Sequence, residues 1–134
     1  MEQFFENIAV AFEGSEASVV AYNMAETMHK RFQSQLNLIH IEENGKSVVT
    51  KVDDFAIQKL NEGIPMNVVH KKGSIYKSIV KASEDLECDL IVMGTHGIFG
   101  FQEFWMGSNA YRVVSSAPCP VITIQESFKR NDIK

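Results

Sequence analysis

Five short, nearly continuous runs of apolar residues alternate with segments of helical spacing, and this alternation constrains the fold more than any other feature. The runs cover residues 8–12, 36–41, 66–69, 90–93 and 121–124. A strand that is buried on both faces reads as a continuous apolar run, and parallel neighbours need crossover helices. The pattern therefore predicts an α/β fold, a doubly wound five-stranded parallel sheet with helices on both faces.

The segments between the runs carry apolar residues every three or four positions, which predicts amphipathic helices that cover the sheet. Gly73-Ser74 offers a turn and an N-cap before the third helix, and the last helix is expected to begin near Ser108. The first two helices are expected to bury Val20, Met24, Met28 and Phe32, then Val48 or Val49, Val52, Phe55, Ala56 and Leu60.

Length, charge and composition restrict the classes of function. The chain has 134 residues, of which 45% are hydrophobic, and this suits a single domain over residues 1–134. The formal net charge is -4 and no dense cluster of Lys and Arg occurs, so nucleic acid is not an expected partner. The sequence has no signal-peptide pattern and no apolar run of membrane length, so we expect a cytoplasmic protein with no membrane partner. The cysteines Cys88 and Cys119 match no metal-ligand spacing and are expected to be reduced thiols.

A glycine-rich segment, MGTHGIFGFQEFWMGSN, begins at the end of the fourth predicted strand. Ligands of open parallel sheets lie beyond the carboxyl ends of strands, where the strand order reverses. The spacing Gly94-x2-Gly97-x9-Gly107-Ser108 is neither a Walker A loop nor the Rossmann pattern. Its glycines would let backbone N–H groups approach a phosphate, and the helix start would add donors. A loop whose glycines only shape turns, and whose serine caps a helix, fits the spacing slightly better.

Four aromatic residues lie inside the same segment. They could pin the loop against the sheet or the last helix, which is the simpler interpretation for most of them. Alternatively, they could form a docking surface for an unknown protein partner, since large exposed apolar patches mark interaction sites. These residues are Phe99, which is expected to be the most exposed, and Phe101, Phe104 and Trp105.

Three histidines, His40, His70 and His96, are predicted to follow strands and therefore to gather near Glu13 at one edge of the sheet. Histidine and carboxylate are common metal ligands. However, these histidines come from different loops and lack any ligand spacing, so we nominate no metal site. The order of residues does not indicate a catalytic nucleophile either, because such arrangements are recognised by geometry.

The stretches NIAVAFEGSEAS, LNLIHI, CDLIVMGTHG and APCPVITI, in this order and at this spacing, resemble the universal stress protein family over nearly the whole chain. The resemblance implies the strand order 3-2-1-4-5, with a nucleotide between the ends of strands 1 and 4. In that family, the pattern Gly-x2-Gly-x9-Gly-Ser/Thr marks members that bind ATP. Members commonly form a homodimer through the last strand, and the same is expected here.

The resemblance also implies roles for individual residues. Ala11, Phe12 and Glu13 would lie by the adenosine, Ile41 would hold the adenine, and Met93 would lie beneath the sugar. Any magnesium would come with ATP and be held largely by its phosphates. Contacts with the phosphates and the ribose would come from Gly94, Gly97, Gly107, Ser108 and Asn109.

Two departures from the family pattern separate two hypotheses. Glu13 replaces the usual Asp after the first strand, and Ile98 and Phe99 follow Gly97 where a basic or polar residue is common. One hypothesis is a signalling module that binds ATP or a related adenine nucleotide, with slow or no hydrolysis and at most weak ATPase activity. The other is a nucleotide-free dimeric interaction module of the same fold.

Overall fold

The computed structural model describes residues 4–43, 45, 47–95 and 107–127, in which strands and helices alternate. No helix in these ranges is long and apolar enough to cross a membrane. The elements are β1 (Asn7–Ala11), α1 (Glu16–Phe32), β2 (Gln35–Glu42), α2 (Val49–Asn61), β3 (Asn67–Lys72), α3 (Ile75–Asp85), β4 (Leu90–Gly94), α4 (Ser108–Ser116) and β5 (Val121–Ile124).

The five strands form one parallel sheet in the order β3-β2-β1-β4-β5, which confirms the predicted fold class. β1 is the central strand, and its Val10 is aligned with Leu38 on β2 and with Val92 on β4. The chain winds from β1 to β2 and β3 on one side, and then crosses to β4 and β5 on the other. The strand order therefore reverses between β1 and β4, which is where such sheets bind ligands.

Helices cover both faces of the sheet, as the sequence predicts. Alternate residues of a strand point to opposite faces, so Ile8 and Val10 join the apolar cluster under α1 and α2. Ala9 and Ala11 join the cluster under α3 and α4. β1 is thus buried on both faces, and this explains why the strand reads as an uninterrupted apolar run.

The buried face of α1 differs from the predicted stripe. Ala21, Tyr22 and Ala25 are fully buried, whereas Phe32 is 55% exposed. Small residues let a helix approach a sheet closely, so the larger apolar residues lie at the rim of the contact. At the end of α2, the large apolar residue Leu60 likewise lies at the rim of the contact and is 58% exposed. The other predicted residues of the α1 stripe are only partly buried, namely Val20, Met24 and Met28.

His40 and His70 lie within strands, so the prediction that they follow strands is wrong. β2 extends to Glu42 and β3 extends to Lys72. β3 is an edge strand of the described sheet, so its polar side chains still reach solvent. Polar residues are therefore tolerated at the last paired positions of β2 and β3, and the apolar run in the sequence ends before the strands do.

Gly94, the last residue of β4, lies directly against Ala17 in the first turn of α1. A Cβ atom on Gly94 would come within 2.8 Å of the Ala17 Cβ atom and within 3.2 Å of the Ala17 carbonyl group. Side chains do not tolerate such distances, so α1 can rest on the end of β4 only because residue 94 is glycine. This packing is a structural reason for Gly94 that does not involve a ligand.

Gly94→Ala is therefore expected to lower the free energy of unfolding by about 1–3 kcal/mol in the absence of any nucleotide, because the added methyl group overpacks the contact. Chemical denaturation measures this loss. The double variant Gly94→Ala with Ala17→Gly lacks the methyl group of Ala17. Its loss of stability should therefore be smaller than the sum of the losses of the two single variants. If Gly94→Ala unfolds at the same denaturant concentration as the parent, the close contact does not exist.

Candidate functional site

The structure gathers most of the predicted site residues at the carboxyl edge of the sheet. β1 ends at Ala11 and the neighbouring β4 ends at Gly94. The backbone N–H of Gly107 donates to the carbonyl oxygen of Thr95 at 2.7 Å, which ties the start of α4 to the end of β4. Three chain segments that are distant in sequence thus meet where the strand order reverses.

The N-terminus of α4 contributes hydrogen-bond donors to this edge. The helix begins at Ser108 as predicted, but its N-cap is Gly107, in an extended conformation with φ -60° and ψ 154°. By the geometry of a helix, the N–H groups of Ser108, Asn109 and Ala110 have no acceptor within α4. Glycine has no side chain with which to cap them. These groups carry partial positive charge, so they suit an anionic ligand.

The side chains of several predicted contact residues belong to the core. Phe12 is 2% exposed, and its ring lies 4.5 Å from the ring of Phe55 on α2. Ala11 and Met93 are also buried, and Ile41 packs against the apolar cluster under α3 and α4. At the edge of the sheet, Ala11 and Phe12 therefore offer mainly backbone groups to a ligand.

Glu13, directly after β1, is part of the network that caps α1. Its carboxylate accepts a hydrogen bond from the Ser15 hydroxyl, and Ser15 is the N-cap of α1. The Ser15 oxygen in turn accepts from the Ser18 N–H at 3.2 Å. Burial raises the pKa of the Glu13 carboxyl, while the Ser15 hydrogen bond and the charge of Lys51 oppose that rise. Glu13 therefore lies partly buried against the helix start and does not extend freely into solvent.

Lys51 is a residue of this edge that the sequence interpretation missed. Its side chain lies over Gly14, where a Cβ atom would come within 2.7 Å of Lys51 Cε. Gly14 has φ +87°, a conformation that favours glycine. The sequence did hold a signal, because a helix that follows β2 begins at the carboxyl edge of the sheet. Residues in the first turn of α2 are therefore candidates for the site.

Several predicted features lie outside the described residues. Within the described ranges, no group of three or more His, Cys, Asp or Glu side chains could hold a metal ion. Cys88 and Cys119 are free thiols, as expected, and burial raises the pKa of Cys88 to about 12, so it is a poor nucleophile. The features that the structure does not describe are Gly97, Gly100, His96, Ile98 and the aromatic residues Phe99, Phe101, Phe104 and Trp105.

Relatives of known structure share this arrangement of strands and helices. UspA, a universal stress protein from Lactobacillus plantarum, superposes with a TM-score of 0.76 at 22% identity, covering 92% of this chain and 99% of that one. A universal stress protein solved in complex with cAMP superposes with a TM-score of 0.72 at 14% identity, covering 92% of this chain and 99% of that one. These likenesses establish the fold.

Comparison of the sequence with known proteins also identifies the family. Universal stress protein MJ0531 of Methanocaldococcus jannaschii is 26% identical over 157 aligned positions, which cover 96% of this chain and 86% of the relative. Universal stress protein YxiE of Bacillus subtilis is 24% identical and covers 90% of this chain and 99% of the relative. The sequence model of the universal stress protein family matches residues 4–125. The chain therefore belongs to the universal stress protein family.

Proposed function

We propose that this protein is a cytoplasmic signalling module that binds ATP or a related adenine nucleotide and hydrolyses it slowly or not at all. The observation that carries the proposal is the meeting of the uncapped start of α4 with the ends of β1 and β4. The spacing of Gly94, Gly97, Gly107 and Ser108 agrees with it. A structural relative in complex with cAMP adds support for an adenine nucleotide as the ligand class.

The phosphates are proposed to bind at the start of α4. Ser108 and Asn109 supply side-chain donors and backbone N–H groups that have no acceptor within α4, and Gly107 has no side chain that would obstruct the approach of a phosphate. Gly94 and Gly97 would border the same position from the end of β4. Any Mg²⁺ is proposed to come with the nucleotide, because its preferred ligands are phosphate oxygens and water.

The adenosine is proposed to lie toward β1 and β2. The backbone of Ala11 and Phe12 and the carboxylate of Glu13 border this side, and Ile41 at the end of β2 provides an apolar contact for the base. Met93, the residue before Gly94 on β4, is proposed to lie beneath the sugar. This arrangement uses backbone donors and acceptors for orientation and apolar contacts for the base, as small-molecule sites commonly do.

Binding rather than rapid hydrolysis is proposed because the described residues at this edge offer poor means of activating water. Glu13 is the carboxylate that we place beside the adenosine, and its oxygen accepts a hydrogen bond from Ser15. Phosphoryl transfer needs a positioned nucleophile together with positioned charge. A carboxylate that is hydrogen-bonded to the N-cap of α1, at the proposed adenosine end of the site, does not meet this need.

A nucleotide-free interaction module is the second candidate function, and two contacts favour it. The contact with Ala17 explains Gly94 without a phosphate. The hydrogen bond from Ser15 explains Glu13 without a ribose. If the same residues serve only the junction of α1 with the sheet, the fold can persist after nucleotide binding is lost.

We further propose that two copies pair through β5. β5 and β3 are the outer strands of the described sheet, but they differ in chemistry. β3 carries His70, Lys71 and Lys72, and such charged residues protect an exposed edge from pairing. β5 reads VITI and carries no charge. The uncharged edge is therefore the better surface for a symmetric contact with a second copy.

The residue Glu13 distinguishes the two functions. If the pocket binds adenosine, Glu13→Asp shortens the side chain to the length usual in the family, and ATP should bind about tenfold more tightly. Glu13→Ala should give no such gain, because it also removes the acceptor. Isothermal titration of ATP into the parent and both variants measures this. Glu16→Asp, a shortening at the exposed neighbour in α1, is the matched control and should not change the affinity.

Equal affinity in the parent, Glu13→Asp and Glu13→Ala would show that Glu13 does not meet the ligand. Absence of binding in all of these proteins at millimolar ATP would contradict the nucleotide-binding proposal and favour the interaction module. Circular dichroism of each variant verifies that the helix start, which Glu13 helps to cap, has not unfolded.

The dimer proposal predicts that Thr123→Lys converts a dimer into a monomer. Thr123 lies half-buried on β5, next to Met93 of β4 on one side and at the outer edge of the described sheet on the other, so the change adds a charge to that edge. Light scattering at micromolar concentration gives the mass of each protein. Thr50→Lys, the same change on exposed α2, should leave the dimer intact. A monomeric parent, or a variant that remains dimeric, would contradict pairing through β5.

A further inference from the structure

A chain of three ionisable side chains links α2 to the interior of the sheet on the side opposite to α4. His40 on β2 is 2% exposed and is aligned with His70 on β3. Their Nδ1 atoms are 3.1 Å apart, with the rings nearly perpendicular. His70 Nε2 lies 2.8 Å from Oδ1 of Asp53, in the second turn of α2. We call Asp53, His70 and His40 the histidine chain.

Hydrogen-bond chemistry fixes where the protons of the histidine chain lie when both rings are neutral. A carboxylate only accepts, so the proton of neutral His70 is on Nε2 and is donated to Asp53. The Nδ1 atom of His70 is then an acceptor. His40 must therefore carry its proton on Nδ1 and donate it to His70. In this state every contact of the chain is satisfied.

The histidine chain can accept one more proton and keep both of its hydrogen bonds. The added charge is better placed on His70 than on His40, because His70 lies beside Asp53 and is less buried. His70 then carries protons on both ring nitrogens and donates from Nδ1 to His40. For this contact to form, His40 must move its own proton from Nδ1 to Nε2. Uptake of the first proton thus changes the tautomer of His40 while its ring stays neutral.

A second added proton breaks the hydrogen bond between His40 and His70 in the histidine chain. With both rings charged, two N–H groups would face each other across 3.1 Å, and the imidazolium charges would repel. Burial and the proximity of His70 lower the pKa of His40, and the charges of Glu42 and Asp53 oppose this in part. Lys72 on β3 approaches Glu42 at 4.0 Å and weakens its effect. On the neighbouring strand, Glu13 follows the end of β1.

A lowered pKa in the folded protein has a definite sign for stability. Below the ordinary pKa of histidine, about 6.5, the unfolded chain binds a proton at residue 40 that the folded chain resists. Stability is therefore fully present above that pH and is lost as the pH falls through the folded value. Acid thus works against the attachment of α2 to the sheet.

The part of α2 that the histidine chain holds also contacts the proposed nucleotide site. Lys51, two residues before Asp53, lies over Gly14, which follows β1 in the loop before α1. Phe55, two residues after Asp53, packs its ring 4.5 Å from that of Phe12. A shift of this segment would move the side chains that support residues 12–14, where the adenosine is proposed to lie.

We propose that the histidine chain is a proton switch that holds α2 against the sheet until a second proton is taken up, and that its release weakens nucleotide binding at the adjacent edge. The regulatory half of this inference rests on the proposed function, whereas the proton switch does not. The ligand that the switch senses is the hydrogen ion, in the acid range below the ordinary pKa of histidine, because burial and His70 lower the pKa of His40.

Nitrogen-15 NMR of the imidazole rings tests the switch directly, because it distinguishes the two neutral tautomers from the charged ring. On acidification, His40 should change from the Nδ1–H to the Nε2–H tautomer when His70 takes up the first proton. A His40 ring that keeps its proton on Nδ1 throughout, or that becomes charged before His70, would overturn the proposal. His29 on α1, which does not take part in the histidine chain, serves as an internal reference.

Two variants separate the switch from simple burial. Asp53→Asn replaces a carboxylate that only accepts by an amide that can also donate, so the proton of His70 is no longer held on Nε2 and the Nδ1–H tautomer of His40 should be lost at neutral pH. Asp54→Asn makes the same change at the next position of α2, where the side chain is exposed, and should leave both tautomers as in the parent. An equal effect of both variants would mean that Asp53 acts only through the general field, which contradicts the chain.

The effect on the nucleotide site is measured by titrating ATP into the parent and His70→Asn at neutral pH and at the pH where the second proton binds. In the parent, affinity should fall by about fivefold or more, a typical size for coupling between two sites. His70→Asn should lose this dependence beyond the change that ATP itself shows with pH. Identical pH dependence in both proteins would overturn the coupling. If ATP binds neither protein at any pH, the proposed function fails, while the NMR titration still decides the switch.

Discussion

The structure depends on one constraint, which is that β1 is hydrogen-bonded on both sides by parallel strands. Such a strand has no edge and no exposed face, so Ile8, Ala9 and Val10 are fully buried. The chain continues from β1 to β2 on one side of the sheet and later returns to place β4 on the other side of β1. The ends of β1 and β4 and the start of α4 therefore meet at one place. The same placement brings α1 onto the end of β4, where Gly94 must lack a side chain.

Much of this arrangement could be predicted from sequence, since strands buried on both faces leave an unmistakable apolar pattern. The five strands, their parallel arrangement and the helix start at Ser108 follow from that pattern and from the spacing of the glycines, and the family resemblance supplied the strand order. The less accurate predictions concern surfaces. Periodicity favoured large residues such as Phe32 as the buried stripe of α1, but the closest contact uses alanines. The contacts of Lys51 with Gly14 and of His40 with His70 join side chains or backbone from separate elements, and periodicity along the sequence does not show which elements pair.

Glu13 shows how a structural role and the proposed functional role would compete for one side chain. Its carboxylate accepts a hydrogen bond from Ser15, the N-cap of α1, and Lys51 partly balances its charge. A ligand that needs this carboxylate must compete with the Ser15 hydroxyl, whereas a shorter Asp would leave that hydroxyl to the helix. At the opposite end of the proposed pocket, the first N–H groups of α4 have no acceptor within the helix, and the N-cap Gly107 has no side chain to cap them. The proposed phosphate end is thus better prepared for a ligand than the adenosine end.

The claim that ATP binds at this edge is tested most directly by following the backbone amide resonances of the protein during an ATP titration. The largest changes should fall on residues 11–14, on Gly94 and Thr95, and on Gly107 to Ala110, and they should vanish in Gly107→Val, whose side chain would obstruct the start of α4. Resonances of the opposite end of the sheet, such as those of Asn37 and Asn67, should stay in place. The absence of changes at millimolar ATP, or changes that persist in Gly107→Val, would contradict the nucleotide site described above.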